Sequence, residues 1–240
     1  MLRRALVTGG SGSIGAAICE GLAQQGNQVI IHCNSNIDGA ARVADSINNF
    51  NGSAEIVQFD IRDAAQTTLA IEALLKSGPI QILVNNAGCH CDAPMAGMME
   101  DEWVTIIDTI INGFFHVTKP ILLPMMQTRW GRIVSISSVA GVIGNRGQTN
   151  YAAAKSGLHG ASKSLALEVA SRGITVNVVA PGIIGSPMTE EYFPSELIDQ
   201  LVPMKRAGKA DEVADLVTFL ASENAGYISG QVISINGAMA

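Results

Sequence analysis

The chain alternates short runs of apolar, often β-branched residues with longer segments in which apolar positions recur at helical spacing. Two of the apolar runs, 29–31 and 176–180, contain little or no alternation with polar residues, as is typical of parallel strands covered by helices on both faces. Seven strands are predicted, at residues 5–7, 29–32, 55–59, 80–85, 132–137, 174–180 and 231–235.

Segments of helical period fill the gaps between these strands, as crossover connections of a parallel sheet require. The predicted helices span residues 15–25, 64–77, 100–117, 149–171 and 210–221. Residues 183–208 are apolar but interrupted by Pro187, Pro194 and Pro203, which predicts a short helical lid over a pocket. We therefore predict a single α/β domain over residues 1–240, a Rossmann-type doubly wound seven-stranded parallel sheet with helices on both faces.

The composition supports one large core and limits the partners. Of 240 residues, 48% are hydrophobic and 15% charged, and the formal net charge of -6 argues against a broad nucleic-acid footprint, which needs a basic face. There is no run of 18 apolar residues and no signal-peptide pattern at the start, so we expect a cytoplasmic protein with no membrane association. The four cysteines, including those of Cys89-His90-Cys91, lack the spacing of a zinc site; we expect reduced thiols and no metal.

A glycine-rich segment, Thr8-Gly9-Gly10-Ser11-Gly12-Ser13-Ile14-Gly15, lies between the first predicted strand and the first helix. Glycines there allow a tight turn and close approach to a pyrophosphate, whose charge is stabilised by the helix N-terminus. Asp60 closes the third strand, where it can accept from an adenine amino group, and Asn85-Asn86-Ala87-Gly88 closes the fourth, where the small pair leaves room for a ribose. Each feature alone is equally consistent with an ordinary turn; together they predict a dinucleotide site.

Tyr151 and Lys155 lie four residues apart in a predicted helix, so their side chains share one face. A neighbouring ammonium stabilises a phenolate, so we expect Lys155 to lower the pKa of Tyr151 and make it a usable proton donor. Ser138 follows the fifth strand and can donate a hydrogen bond to a carbonyl oxygen. In an arbitrary sequence the same spacing would usually mark only a solvated helix face.

The surrounding residues decide between these interpretations. Gly131-Arg132-Ile133-Val134-Ser135-Ile136-Ser137-Ser138 and Asn150-Tyr151-Ala152-Ala153-Ala154-Lys155 resemble the short-chain dehydrogenase/reductase family, over essentially the whole chain. Within the family the chain is most similar to 3-oxoacyl-[acyl-carrier-protein] reductases, through the segments 137–141, 144–145, 147–148, 172–182 and 235–237. The resemblance implies reduction of a β-keto thioester, with Ser138, Tyr151 and Lys155 catalytic and Lys155 also holding the nicotinamide ribose.

The resemblance and the local motifs together give a set of residues expected to contact the cofactor. Ile184 would contact the nicotinamide carboxamide through its backbone, and Ser186 stands where relatives often carry Thr. Besides Tyr151 and Lys155, the expected contacts are Gly9, Ser11, Gly12, Ser13, Ile14, Gly15, Asn34, Ser35, Asp60, Ile61, Asn86, Ala87, Gly88, Pro181, Gly182, Ile184 and Ser186.

The cofactor and the partners are predicted from fewer residues. The second strand ends at Cys33 rather than at an acid that would bond a ribose 2′-hydroxyl, and Asn34 and Ser35 can donate to a 2′-phosphate, so we predict NADP(H) rather than NAD(H). Gly12, however, stands where NADP-using relatives often carry arginine. By resemblance, Arg129 and Arg172 form a basic patch for acyl carrier protein, although both could be ordinary solvated arginines, and the chain forms a homotetramer.

Two departures from the family pattern keep alternatives open. Ser13 replaces a glycine of the loop, so its Cβ could crowd the pyrophosphate. Ile110 replaces an asparagine that helps hold a water for reprotonation of the lysine, unless a local helix bulge lets Asn112 or a backbone carbonyl serve instead. The alternatives are an alcohol or sugar dehydrogenase of the same family and a catalytically weak partner of an active paralogue. The four histidines, His32 included, are expected to be structural or surface residues.

Overall fold

The computed structural model describes residues 2–186 and 193–240. Seven parallel strands in this part of the chain form one sheet in the order β3-β2-β1-β4-β5-β6-β7, with Ala5 of the central β1 paired to Val29 on one side and to Ile82 on the other. The strands are β1 Arg4–Val7, β2 Gln28–Cys33, β3 Ser53–Gln58, β4 Ile82–Asn85, β5 Gly131–Ile136, β6 Ile174–Pro181 and β7 Val232–Ile235. All seven predicted strands are confirmed, with ends that shift by one or two residues.

Helices cover both faces of the sheet, as predicted. The α-helices are α1 Ser13–Gln24, α2 Ile37–Asn49, α3 Ala64–Leu75, α4 Glu100–Ile107, α5 Gly113–Gln127, α6 Ala140–Ile143, α7 Thr149–Val169, α8 Ser195–Leu201 and α9 Ala210–Leu220. Successive strand residues alternate between two cores: Val7 packs with α1, α2 and α9 on one face, whereas Leu6 packs with α3, α5 and α7 on the other. The fully apolar strands of the sequence follow from this double burial.

Some helical features differ from the prediction, and the predicted lid is described only in part. Helix α2 was not predicted, although Ala40, Val43 and Ile47 repeat at helical spacing on its buried face. The helix expected at 100–117 is interrupted by a π-helical turn at Asp108–Asn112 and then continues as α5 to Gln127, through two internal prolines. Of the predicted lid, the described part contains the short helix α8, and Pro187 lies outside the described residues.

One helical stretch, Glu100–Gln127, is long and apolar enough to cross a membrane by length and composition, with a mean hydropathy of 1.2 in its most apolar window. Core helices of globular proteins meet the same criterion, so this is weak evidence for a span. Here the stretch packs α4 against α7 and α5 against α3 beside the sheet. Its apolar residues are thus partly accounted for by the fold itself.

Candidate active site

The carboxyl ends of β1, β2, β3 and β4 surround a cavity of about 670 Å³. Open parallel sheets bind ligands at this edge, outside the strand ends. Most of the residues predicted to hold a dinucleotide line it: Gly9, Ser11, Gly12, Ser13, Ile14, Gly15, Asn34, Ser35, Asp60, Ile61, Asn86, Ala87 and Gly88. The structure therefore brings together the predicted residues from four separate strand ends.

The glycine-rich loop leaves room for a phosphate group because two of its positions admit no side chain. Gly9 has a φ of +63°, and a Cβ on Gly15 would lie only 2.2 Å from the carbonyl oxygen of Gly9. Helix α1 begins at Ser13, within this glycine-rich segment, so its first free amides lie at the same end of the cavity. A pyrophosphate fits this loop. Ser13 is the first residue of α1 and its side chain is exposed beside the cavity.

Thr8, which sequence reasoning did not single out, ties the glycine loop to the end of β4. Its hydroxyl accepts hydrogen bonds from the amides of Asn86 and Ala87, at 2.9 and 3.0 Å. The Asn86 side chain also bonds the two segments, because it donates to the carbonyl oxygens of Thr8 and Gly9. A buried threonine beside a glycine loop is the signal that could have identified it.

Asp60, predicted to accept from an adenine amino group, lines the cavity at the end of β3, but it already has a partner. The guanidinium of Arg62 donates to both carboxylate oxygens, with a shortest distance of 2.6 Å. This hydrogen bonding by Arg62 lowers the pKa of Asp60, so the carboxylate stays ionised and able to accept from an amino group. At the end of β2, Asn34, Ser35 and Asn36 are exposed and line the cavity, whereas Cys33 is buried.

The three predicted catalytic side chains converge beyond Gly88, at the far end of this cavity. Ser138 follows β5, while Tyr151 and Lys155 lie in the first turns of α7, with Lys155 Nζ 5.5 Å from the centre of the Tyr151 ring. Lys155 is buried and donates to the carbonyl oxygen of Ile136 at 2.7 Å. A Cβ on Gly88 would lie 3.4 Å from Lys155 Nζ, so the cofactor cavity ends beside the lysine.

The electrostatics of Tyr151 differ from the prediction. Burial is the largest effect and raises its pKa, the nearby Asp92 carboxylate raises it further, and the interaction with Ser138 only partly offsets both. Burial also lowers the pKa of Lys155 to about 8. The expected lowering of the Tyr151 pKa by Lys155 is therefore wrong for this structure: the site holds a neutral phenol, a competent proton donor, above a lysine that titrates close to neutral pH.

Asn150, which the sequence analysis did not select, orients the start of the catalytic helix. Its side chain is fully buried, donates to the carbonyl oxygens of Cys91 and Glu102, and accepts from the amide of Tyr151 at 2.7 Å. These bonds fix Tyr151 relative to the loop after β4 and to α4. The complete burial of an asparagine at the start of a helix identifies this role, and burial is visible only in the structure.

The predicted nicotinamide end is built from the segment after β6. The amide of Val139 donates to the Pro181 carbonyl at 2.7 Å, which places this segment beside Ser138. A Cβ on Gly182 would lie 2.8 Å from Cα of Asn236, so only glycine fits there. Ile184 is buried and pairs with Gly208, and Ser186 follows on the same segment. These residues do not line the 670 Å³ cavity, so their cofactor contacts remain predictions.

The position of Ile110 bears on proton transfer. It lies in the π-helical turn, is buried, and packs with Ile106, Ala154 and Leu158. A Cβ built on Gly88 would lie 4.0 Å from Cγ1 of Ile110 and 3.4 Å from Nζ of Lys155, so Ile110 lies close to the lysine. The predicted alternative of a local bulge is thus present, but the Asn112 side chain donates to Asp108 at 2.6 Å instead of replacing the missing asparagine.

Arg129 and Arg172 lie at the amino ends of the strands, whereas the catalytic residues lie at the carboxyl ends. Arg129 precedes β5 and Arg172 precedes β6, whereas Ser138 follows β5. The Arg129 guanidinium donates to the carbonyl oxygen of Ser171 at 3.4 Å, so the two arginines lie close to each other. Within one chain, both arginines therefore lie at the amino ends of their strands, away from Tyr151.

The remaining candidates have ordinary surroundings, with one exception. His90 lies 3.5 Å from Asp92, His116 contacts the carbonyl oxygen of Ile61, and His159 contacts the hydroxyl of Ser137. His32 differs, because both its ring nitrogens are engaged beneath the glycine loop. The four cysteines are free, and no group of three metal-ligating side chains occurs within residues 2–186 and 193–240.

Comparison with known proteins agrees with this geometry. Residues 3–197 match the profile described as short chain dehydrogenase. The chain is 45% identical over 238 residues to the 3-oxoacyl-[acyl-carrier-protein] reductase FabG of Escherichia coli (strain K12), covering 98% of this chain and 96% of the relative. It is 41% identical over 236 residues to the protein of the same name from Aggregatibacter actinomycetemcomitans, covering 98% of each, and 41% identical over 239 residues to nodulation protein G of Azospirillum brasilense, covering 98% and 97%.

Proposed function

This chain belongs to the short-chain dehydrogenase family, and from that premise we propose that it catalyses the NADPH-dependent reduction of a β-keto thioester to the 3-hydroxyacyl thioester. One observation carries the proposal: Ser138, Tyr151 and Lys155 converge at the end of a cavity whose glycine loop and strand ends fit a dinucleotide. The similar reductases named for 3-oxoacyl-[acyl-carrier-protein] indicate the substrate class.

A nicotinamide, when bound, would supply the hydride for the carbonyl carbon; the chain's own residues bind the carbonyl oxygen and provide its proton. Ser138 and Tyr151 hold the carbonyl oxygen, and Tyr151 gives it a proton as negative charge develops. Lys155, with a pKa of about 8, is mostly protonated at pH 7 and can donate one of its own protons to the Tyr151 phenolate that remains. The product is a secondary alcohol, and the net proton comes from solvent through the lysine.

Steady-state NADPH oxidation with a substrate panel tests this proposal. We expect turnover with acetoacetyl thioesters that exceeds turnover with sugars, simple ketones or secondary alcohols by at least about 10²-fold in kcat/KM. Contacts with the thioester group, which the other compounds lack, are expected to lower the activation free energy of hydride transfer by positioning the keto group. Comparable rates across the panel, or a preference for a sugar, would replace the proposal with a general alcohol or sugar dehydrogenase.

The proposed cofactor preference gives a second prediction. Three uncharged residues at the end of β2, Asn34, Ser35 and Asn36, can donate to a 2′-phosphate. Among the described residues that line this cavity, Asp60 has the only carboxylate, and it is paired with Arg62. We expect kcat/KM with NADPH to exceed that with NADH by at least about tenfold, since one charge-assisted hydrogen bond accounts for such a factor. Parallel measurements with both cofactors check this, and a ratio favouring NADH contradicts it.

The proposal includes docking of an acyl carrier protein by Arg129 and Arg172 in a homotetramer. Both arginines lie at the amino ends of their strands, whereas the catalytic residues lie at the carboxyl ends. A carrier held by the arginines would therefore serve the active site of a neighbouring subunit. The proposed location is the cytoplasm, where a reducing compartment agrees with the four free cysteines.

Charge reversal tests the docking role. We expect Arg129→Glu combined with Arg172→Glu to raise KM for a carrier-bound substrate by about tenfold and to remove its salt dependence, because exposed charges steer an acidic partner. KM for acetoacetyl-CoA should stay within about twofold. Lys119→Glu on the exposed face of α5 is the matched control. Equal changes with both substrates would mean that the arginines act on folding or assembly, not on docking.

A further inference from the structure

His32 is the one histidine in the described part of the chain that lines the cofactor cavity. It is the fifth residue of β2, pairs with Val57 of β3, and is 1% exposed. Its Nδ1 lies 3.1 Å from the amide nitrogen of Gly9, and its Nε2 lies 2.9 Å from the carbonyl oxygen of Phe59. The imidazole therefore joins the glycine loop after β1 to the end of β3.

The chemistry of the two partners fixes the tautomer of this ring. A carbonyl oxygen only accepts, so Nε2 must carry the hydrogen that points to Phe59; a backbone amide only donates, so Nδ1 must be the bare acceptor for Gly9. Burial lowers the pKa of His32 to about 4, against weaker opposing effects of the hydrogen bond to Phe59 and of the Asp60 carboxylate, the charged group that faces it. At neutral pH the ring is thus neutral and correctly arranged for both bonds.

The contact fixes a loop residue with a restricted conformation. Gly9 adopts a φ of +63°, its carbonyl oxygen accepts from the amide of Gly12 at 3.2 Å, and the next amide, that of Gly10, donates to the main-chain oxygen of His32 at 2.8 Å. His32 therefore holds two successive loop amides, one by side chain and one by main chain. With these amides held away from the cavity, the loop directs the free amides at the start of α1 toward it.

We propose that His32 is a positioning residue for the adenosine half of the dinucleotide, acting through the Gly9 amide, with the Phe59 carbonyl selecting the required tautomer. The inference rests on the dinucleotide site of the proposed function, not on the substrate. It implies that cofactor affinity depends on an acceptor at the Nδ1 position, whereas the rate at saturating cofactor does not.

Two substitutions separate the two bonds of the ring. His32→Asn keeps an oxygen acceptor near the position of Nδ1 but no longer reaches Phe59; His32→Gln keeps a donor toward Phe59 but moves the acceptor away from Gly9. The readouts are the dissociation constants of NADPH and of 2′,5′-ADP, which lacks the nicotinamide, and kcat at saturating NADPH. His116→Gln is the matched control, because His116 also contacts a main-chain oxygen of the β3–α3 connection but not the glycine loop.

We expect His32→Gln to weaken both NADPH and 2′,5′-ADP by about tenfold with kcat within about twofold of the parent, and His32→Asn to stay within about threefold for both ligands. The control should bind both ligands as the parent does. Equal affinities in the Asn and Gln variants, or a loss of kcat at saturation with unchanged affinity, would overturn the positioning role alone. A parent protein that binds neither ligand would overturn the proposed cofactor and this inference together.

Discussion

Tyr151→Phe should lower kcat for the β-keto thioester by about 10³-fold while leaving the dissociation constant of NADPH within about twofold. The phenol is the hydroxyl placed to donate a proton to the carbonyl oxygen, and burial raises its pKa, so it remains protonated throughout the neutral range. Removing the oxygen atom keeps the ring that packs with Ile106, Ala154 and Leu158. Stopped-flow NADPH oxidation, with circular dichroism to verify folding, measures the effect.

Tyr227→Phe provides the control for this substitution, because Tyr227 is fully exposed and far along the chain from the site. Its kcat should equal that of the parent protein. If folded Tyr151→Phe retained more than about a tenth of the parent kcat, another group would have to be the acid, and the assignment of the catalytic side chains would be wrong.

Ile110→Asn should raise kcat by about tenfold, a fraction of the usual range for general acid–base catalysis, because the donor itself is already in place. Ile110 is buried on the side of Gly88 where Lys155 Nζ ends, and an aliphatic side chain there cannot hold a water for reprotonation of the lysine. A cavity of about 10 Å³, lined by Ile110, Thr109 and Asn85 among others, already lies beside it. The asparagine amide would supply a polar partner at this cavity.

The measurement compares single-turnover NADPH oxidation with steady-state kcat across pH. KM for NADPH should stay nearly constant, since Ile110 is not among the residues lining the 670 Å³ cofactor cavity. Asn112→Ala should leave kcat unchanged, because the Asn112 side chain is bonded to Asp108. A folded Ile110→Asn variant with unchanged or lower kcat would show that the lysine is reprotonated by another route, such as a main-chain carbonyl of the π-helical turn.

The sheet could be predicted from the sequence because its strands are buried on both faces and therefore appear as short apolar runs. Helix α2 could not be recognised as easily, since much of its buried face consists of small residues such as Gly39 and Ala40. The end of α5 was predicted ten residues too early, because a helix with prolines at positions 120 and 124 contradicts the general rule yet persists here. In both cases tertiary packing overrides the local signal.

The site shows the same division between local and distant information. The Tyr-x-x-x-Lys pair lies within one helix, and its spacing alone places both side chains together. The partners of His32 lie 23 and 27 residues away along the chain, so neither could be read from the residues around it. The direction of the Tyr151 pKa was predicted wrongly for a related reason: burial, the largest effect, depends on the surrounding chain and not on Lys155.

The most direct test of the proposed activity is to mix the protein with NADPH and acetoacetyl thioester in limiting amount and to follow both reactants together. We expect equimolar loss of NADPH and of the β-keto thioester, with formation of one equivalent of the 3-hydroxybutyryl thioester, and no such conversion with Tyr151→Phe. A parent protein that binds NADPH yet converts no β-keto thioester, whether free, on CoA or on an acyl carrier, would contradict it and would favour a catalytically weak partner subunit.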